Sequence, residues 1–158
     1  ALPIFKENFN YEITITEHRL GSLFLVRQKW FEKVLERCKP YITSVGLQLW
    51  IQPSSRMFNF DKEVSFRLIK NIQDWGFPVF VSECSIFEKN REKQAEILEK
   101  LLSALKQAKV TTFTYWYLKD SPNLRQPNRD CSLGPGLFDE NWNPKPIWEV
   151  IRKYAQSF

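Results

Sequence analysis

The 158-residue chain has no glycine-rich phosphate loop, no cysteine pairing pattern and no long apolar run. With five glycines in all, none forms a G-x-G-x-x-G or P-loop run after an apolar segment, which removes the main reason to expect a nucleotide fold. The cysteines, Cys38, Cys84 and Cys131, are odd in number and share no C-x-x-C spacing. Neither a metal site nor a disulfide framework is therefore expected, and no cofactor. No segment approaches a membrane span, so no membrane partner is expected. The chain opens on Ala1 with no initiator methionine and no signal-like stretch. The expectation is that the true N-terminus lies upstream and that the compartment is not readable here.

What is present is moderately apolar and mildly basic. A hydrophobic content of 43% over 158 residues supports one globular core, and residues 1–158 read as a single domain fragment. The formal charge is +5, but the lysines and arginines alternate with glutamate, as in Glu88-Lys-Asn-Arg-Glu-Lys93. That pattern describes solvated helix faces, and no nucleic-acid partner is expected.

Periodicity divides the chain into alternating strands and helices. Tyr11–Thr16 alternates and is β-branched, and Leu23–Lys39 follows as an amphipathic helix with Phe24, Phe31, Val34, Leu35 and Cys38 on one stripe. Ile42–Leu49 reads as a strand. Asp61–Trp75 reads as a helix through Val64, Leu68, Ile72 and Trp75, stopped by Gly76 and Pro78. Val79–Val81 opens a third strand, Asn90–Lys109 is a helix through Ile97, Leu101, Leu102 and Leu105, and Val110–Tyr117 is a fourth strand. A long loop precedes a last helix, Pro144–Tyr154, entered through Pro144 and Pro146. Each boundary follows from pattern, length and breaker residues.

Strand starts fall near 11, 42, 78 and 110, so the units repeat at intervals of about 31 to 36 residues. That is what a βαβ crossover needs, and equal repeats favour a barrel over a mixed sheet. Four such units cannot close a sheet by themselves. The predicted fold class is α/β, the second half of a (β/α)8 TIM barrel, with an open doubly wound sheet as the alternative.

In such barrels the site lies at the C-terminal ends of the strands. Those positions hold Glu17 and His18, Gln48 with Trp50, Glu83, and Trp116 with Asp120. Carboxylates beside indoles suit a sugar, whose apolar ring face stacks on an aromatic while its hydroxyls take amide and carboxylate partners. Glu83 lies within the apolar run Val79–Ile86, where an acid is costly to bury without a partner. Packing competes with a platform role for Trp116, which sits among Phe113, Tyr115 and Tyr117.

These residues resemble glycoside hydrolase family 10, the endo-β-1,4-xylanases. Gly46-Leu-Gln48 is similar to the family's G-x-Q step. Ser82-Glu-Cys-Ser85 is similar to T-E-L-D, whose Glu is the nucleophile, and Trp116-Tyr-Leu-Lys-Asp120 to W-G-V-T-D. Leu137 to Trp148 resembles the closing L-F-D-x-N-x-x-P-K-P-A-Y, and Ile13 to His18 resembles the fifth strand. The motifs run in order over nearly the whole chain as strands five to eight. The resemblance implies a retaining xylanase-like glycosidase with Glu83 as nucleophile, Gln48 beside it and Trp116 stacked on the sugar, and the strand-end positions of Trp50, Glu17 and Asp120 add them to the expected substrate-binding residues. It also implies a polysaccharide or oligosaccharide substrate, a secreted or periplasmic location, and an N-terminal half barrel that carries the acid/base Glu in a W-D-x-x-N-E run.

The departures are specific. The family places His where Trp50 stands, Asp where Ser85 stands, and a second tryptophan where Leu124 stands. The His and Asp would support the nucleophile through hydrogen bonds. Arg125 and Arg129 occupy the loop where an acidic decoration of a glycan could bind, though loop arginines are more often solvated. The isolated chain is expected to be inactive. The alternatives are a non-catalytic carbohydrate-binding descendant and a different retaining family of the same clan.

Overall fold

The computed structural model of the protein describes residues 14–18, 24–54, 62–121, 123 and 131–156. Strands β1 (Thr14–His18), β2 (Ser44–Ile51), β3 (Val79–Ile86) and β4 (Phe113–Tyr115) alternate with helices α1 (Phe24–Cys38), α2 (Lys62–Asp74) and α3 (Arg91–Gln107). A 3-10 turn at Cys131–Leu133 and a last helix, α4 (Pro146–Ala155), complete the order. The strands pair in parallel in the order β1-β2-β3-β4. Each parallel step is bridged by a helix, as such connections require.

Alternation along the strands assigns two faces. Val45, Leu47, Leu49 and Ile51 of β2 and Val79, Val81, Cys84 and Ile86 of β3 belong to one apolar cluster with the helices. Helix α3 contributes Leu98, Leu101, Leu102 and Leu105 to it, all buried. Ile147 of α4 is also buried there, and Val150, Ile151 and Tyr154 pack against it. Lys153 Nζ of α4 reaches Glu99 Oε1 of α3 at 2.9 Å. Gly46, Gln48 and Trp50 take the opposite face of β2.

The helix ends explain the chain reversals. Asn90 caps α3, its Oδ1 accepting from Lys93 N at 3.0 Å. Gly76, at φ 89, ends α2 in a Schellman arrangement, with Gly76 N donating to Gln73 O and Phe77 N to Ile72 O. The same pair of bonds ends α3, but there Lys109 holds the left-handed position at φ 57.

Most expected elements are present with shifted ends. Of the first expected strand, residues 11–13 lie outside the described residues, and β1 runs on through Glu17 and His18. β3 extends five residues past Val81, to Ile86. The fourth strand is shorter than the expected Val110–Tyr117, because Val110 N is taken by the α3 terminus at Leu105 O. Phe31 and Leu35 of the α1 stripe and Ile72 of α2 are buried as expected, while the side chains of Phe24, Val64 and Leu68 lie outside the described set.

Gly46 is fixed by space rather than conformation. A Cβ there would stand 2.8 Å from Thr16 Cγ2, 3.0 Å from Phe80 Cζ and 3.2 Å from Ser82 Cβ. Gly46→Ala is therefore expected to lower unfolding stability by about 1–3 kcal/mol, read from the midpoint of urea denaturation.

Candidate active site

The site begins with an irregularity in β3. Leu47 pairs with Val81, but the next residue of β2, Gln48, pairs with Glu83. Ser82 is thus an extra residue, and the β3–β4 ladder shows the same surplus, with Val81 opposite Phe113 and Cys84 opposite Tyr115. A bulge of this kind re-aims the side chains that follow it. Without it Glu83 would follow Val81 onto the helix-covered face. With it, Glu83 faces Gln48, and Cys84 takes the core side, fully buried. Gln48 Nε2 then donates to Glu83 Oε1 at 2.9 Å in a half-buried setting. Ser82 Oγ donates to Leu47 O at 3.2 Å, stitching the bulge to β2.

Beyond Glu83 the ladder sets Trp50 opposite Ser85. Ser85 is completely buried, and its hydroxyl donates to the Cys84 carbonyl at 2.8 Å. Trp50 lies nearly parallel to Phe87, ring centroids 6.1 Å apart, and edge-on to Tyr117 at 6.3 Å. Its third ring neighbour is Trp116, at 6.3 Å and 43°. Trp116 is about half exposed, and its backbone N–H donates to the Cys84 carbonyl at 2.8 Å. The Tyr115 phenol beneath donates to Pro135 O at 2.8 Å and accepts from Ile86 N at 3.3 Å. Burial pushes that phenol, and the Cys84 thiol, well above their ordinary ranges, so both are neutral structural groups.

Asp120 is engaged by a second network. Its Oδ1 accepts from Gly136 N at 2.6 Å, and Lys145 Nζ lies 3.1 Å from Oδ2 and 3.2 Å from Oδ1. Lys145 also donates to Gly134 O at 2.7 Å, and Gln94 Nε2 of α3 donates to the same carbonyl at 2.8 Å. The Lys145 side chain is 2% exposed. Burial lowers its affinity for a proton, and the Asp120 carboxylate works against that loss. Gly134 and Gly136 are required by contact. A Cβ on Gly134 would stand 2.9 Å from Asp120 Oδ2, and one on Gly136 would strike the Asp120 and Lys119 backbone. Asp120 therefore ties the segment after β4 to the entry of α4.

The structure brings Gln48 and Glu83 into direct contact and sets Trp50 against Trp116. The backbone of Glu17 pairs with Leu47 and that of His18 with Gln48, but their side chains lie outside the described residues, as do Leu124, Arg125 and Arg129. Among the described residues no group of three His, Cys, Asp or Glu side chains could hold a metal ion, and no helix is long and apolar enough to cross a membrane. Sequence reasoning passed over Lys145, Gln94 and Phe87, and took Tyr117 only as a packing neighbour of Trp116. Only Lys145 carried a signal, as the lysine between the two prolines of the closing motif.

The parallel sheet thus sets an acid against an amide at adjoining strand ends, with a half-exposed indole just past the end of the next strand. A family model for glycosyl hydrolase family 10 matches residues 8–154, and the chain belongs to that family. Comparison with curated protein sequences finds no match. Among solved structures, the chain is similar to xylanase B from Clostridium stercorarium F9, with 23% identity and a TM-score of 0.70, covering 91% of this chain and 47% of that one. It is also similar to an endo-1,4-beta-xylanase from Caldicellulosiruptor owensensis, at 20% identity and TM-score 0.72, covering 95% and 51%. The intracellular xylanase TsXylA from Thermoanaerobacterium saccharolyticum JW/SL-YS485 matches at 19% identity and TM-score 0.70, covering 93% and 46%. The chain spans about half the length of these proteins, so its four parallel strands are half of a barrel.

Two substitutions probe the closing network. Lys145→Met strands the Asp120 carboxylate and is expected to lower stability by about 3–5 kcal/mol in urea unfolding. Asp139, in the same motif, accepts hydrogen bonds from the Asn143 side chain and backbone and from Asn141 N, which hold its carboxyl below the usual range. Its contribution is full above about pH 5 and is lost as pH falls through the depressed folded-state value. Asp139→Asn should flatten that part of the acid stability profile, measured by thermal unfolding from pH 6 down to about pH 2.5.

Proposed function

We propose that this chain is the C-terminal half of a retaining, xylanase-like glycoside hydrolase acting on β-1,4-xylan or a related plant polysaccharide. The observation that carries the reading is the 2.9 Å hydrogen bond from Gln48 Nε2 to Glu83 Oε1, made on a bulged strand end beside an exposed indole. The amide holds one carboxylate oxygen and leaves Oε2 to attack the anomeric carbon. The C–O bond to the leaving sugar breaks as the glycosyl–Glu83 ester forms. Water then resolves the ester, returning the carboxylate and releasing the sugar with retained configuration. Trp116 offers a flat apolar face to the sugar, and Gln48 stands within reach of its hydroxyls. TsXylA mutants have been solved with xylotetraose and with xylotriose, ligands of the class proposed here.

Protonation of the leaving oxygen needs a second carboxyl about 5–5.5 Å from the nucleophile. The proposal assigns it to an N-terminal half barrel that pairs with β1 and β4, the outer strands of the described sheet. A general acid contributes about 10²–10⁴-fold, so the isolated chain is expected to be inactive. In the full reading frame, Glu83→Ala should reduce xylan hydrolysis at least about a thousandfold, the scale of losing a catalytic nucleophile. Equal rates for wild type and variant would sink the assignment.

A second reading is favoured by one observation. Opposite each other at the strand ends stand a self-satisfied serine and an indole, Ser85 and Trp50, where the nucleophile's polar support is expected. A carbohydrate-binding protein without turnover would tolerate this. It predicts xylo-oligosaccharide binding in Glu83→Gln, measured by calorimetry, with no hydrolysis by the full-length wild type.

A further inference from the structure

Trp116 is the exposed indole of the site, and the sheet holds its backbone, through Trp116 N–H to Cys84 O at 2.8 Å, rather than its ring. β4 is three residues long and ends at Tyr115, so Trp116 stands past the last ladder pair and is 51% exposed. An indole in that position has rotamer freedom that a sugar would have to quench. Its ring neighbour is Trp50. Trp50 is anchored inward, its plane within 16° of parallel to stacked Phe87 and edge-on to Tyr117 at 86°. Phe87 and Tyr117 close the triangle at 5.9 Å and 80°, and they are only 1% and 8% exposed. The four rings thus grade from a buried base to a half-exposed tip, with Trp50 as the link. Space for that link comes from across the ladder, where Ser85 is small and turns its hydroxyl onto the Cys84 carbonyl.

We infer that Trp50 is a positioning residue for sugar binding: it fixes the Trp116 ring for stacking rather than contacting the sugar itself. The inference rests on the carbohydrate reading given above. It assigns a gain to a strand end that otherwise looks like a loss of polar support. The exchange of polar groups for Trp50 and Ser85 makes an aromatic buttress, and ring packing pre-orders the stacking platform. Pre-ordering improves affinity by removing an entropic cost from the bound state.

A double-mutant cycle tests this in the full-length protein, with Glu83→Gln throughout so that xylotetraose is not consumed. Binding is measured by calorimetry. If Trp50 acts through Trp116, Trp50→Ala should weaken binding about five- to tenfold, the scale of one aromatic contact. The same substitution should cost nothing further once Trp116 is alanine. Trp50→Phe, which keeps a ring on the Phe87–Tyr117 base, should recover most of the loss. Additive losses would mean that Trp50 touches the sugar directly and would overturn the inference. So would an unchanged affinity in Trp50→Ala.

The ring coupling is read separately, without sugar. The far-ultraviolet circular dichroism of Trp50→Phe and Trp116→Phe should lose the same tryptophan–tryptophan couplet, while the helix band stays native. Different losses would overturn the coupling itself. A wild type that shows the shared couplet but binds no xylotetraose would instead overturn the carbohydrate reading, leaving the packing assignment intact.

Discussion

One extra residue in β3 sets the chemistry of this sheet. Parallel strands place side chains on alternate faces, and an uninterrupted β3 would send Glu83 into the layer of leucines beneath the helices, where an acid has no partner. Ser82 supplies the surplus, and its hydroxyl reaches back to Leu47 O. Glu83 then meets Gln48, and Cys84 takes the core position. The two groups thereby take opposite environments. The carboxylate is half-buried with an amide donor, and the thiol is held neutral by complete burial. Gly46 belongs to the same constraint, because its missing side chain is where Thr16, Phe80 and Ser82 converge.

The described residues between β4 and α4 carry one short 3-10 turn, and a polar clasp holds them. Lys145, Asp120, the Gly134 carbonyl and the Gly136 amide satisfy one another, and Gln94 joins from α3. A buried ion pair adds little net stability over an apolar packing, but removing one partner is costly. The clasp therefore acts as a registration device (it fixes where the chain re-enters the fold before α4). Both Asp120 oxygens meet protein donors there, Gly136 N and Lys145 Nζ.

The strand ends beyond Glu83 show a trade between two ways of ordering a site. Hydrogen-bonded polar groups orient a carboxylate. Stacked rings orient a platform. Here Ser85 closes on its own backbone and Trp50 joins Phe87, Tyr117 and Trp116, so the order is aromatic. No buried polar group of Ser85 is stranded by the exchange, which is why the core accepts it.

Much was legible in the sequence, because strand–helix periodicity and repeat length are local properties. The four β/α units, their order, the buried faces of α1 and α3, and the candidates Gln48, Glu83 and Trp116 all follow from side-chain alternation and from motifs read in series. The bulge at Ser82 left no mark that periodicity could show, since one surplus residue matters only against a neighbouring strand. The shortness of β4 was hidden because Val110 is claimed by the end of α3. Lys145 stood in plain view between two prolines, yet its burial against Asp120, 25 residues away in the chain, exists only once the segment folds back. The sequence by itself determined which side chains were available and the half-barrel order in which they come. Tertiary structure alone decided which of them meet, because the contacts of Glu83, Asp120 and Trp50 all join residues distant along the chain and depend on strand register and loop return.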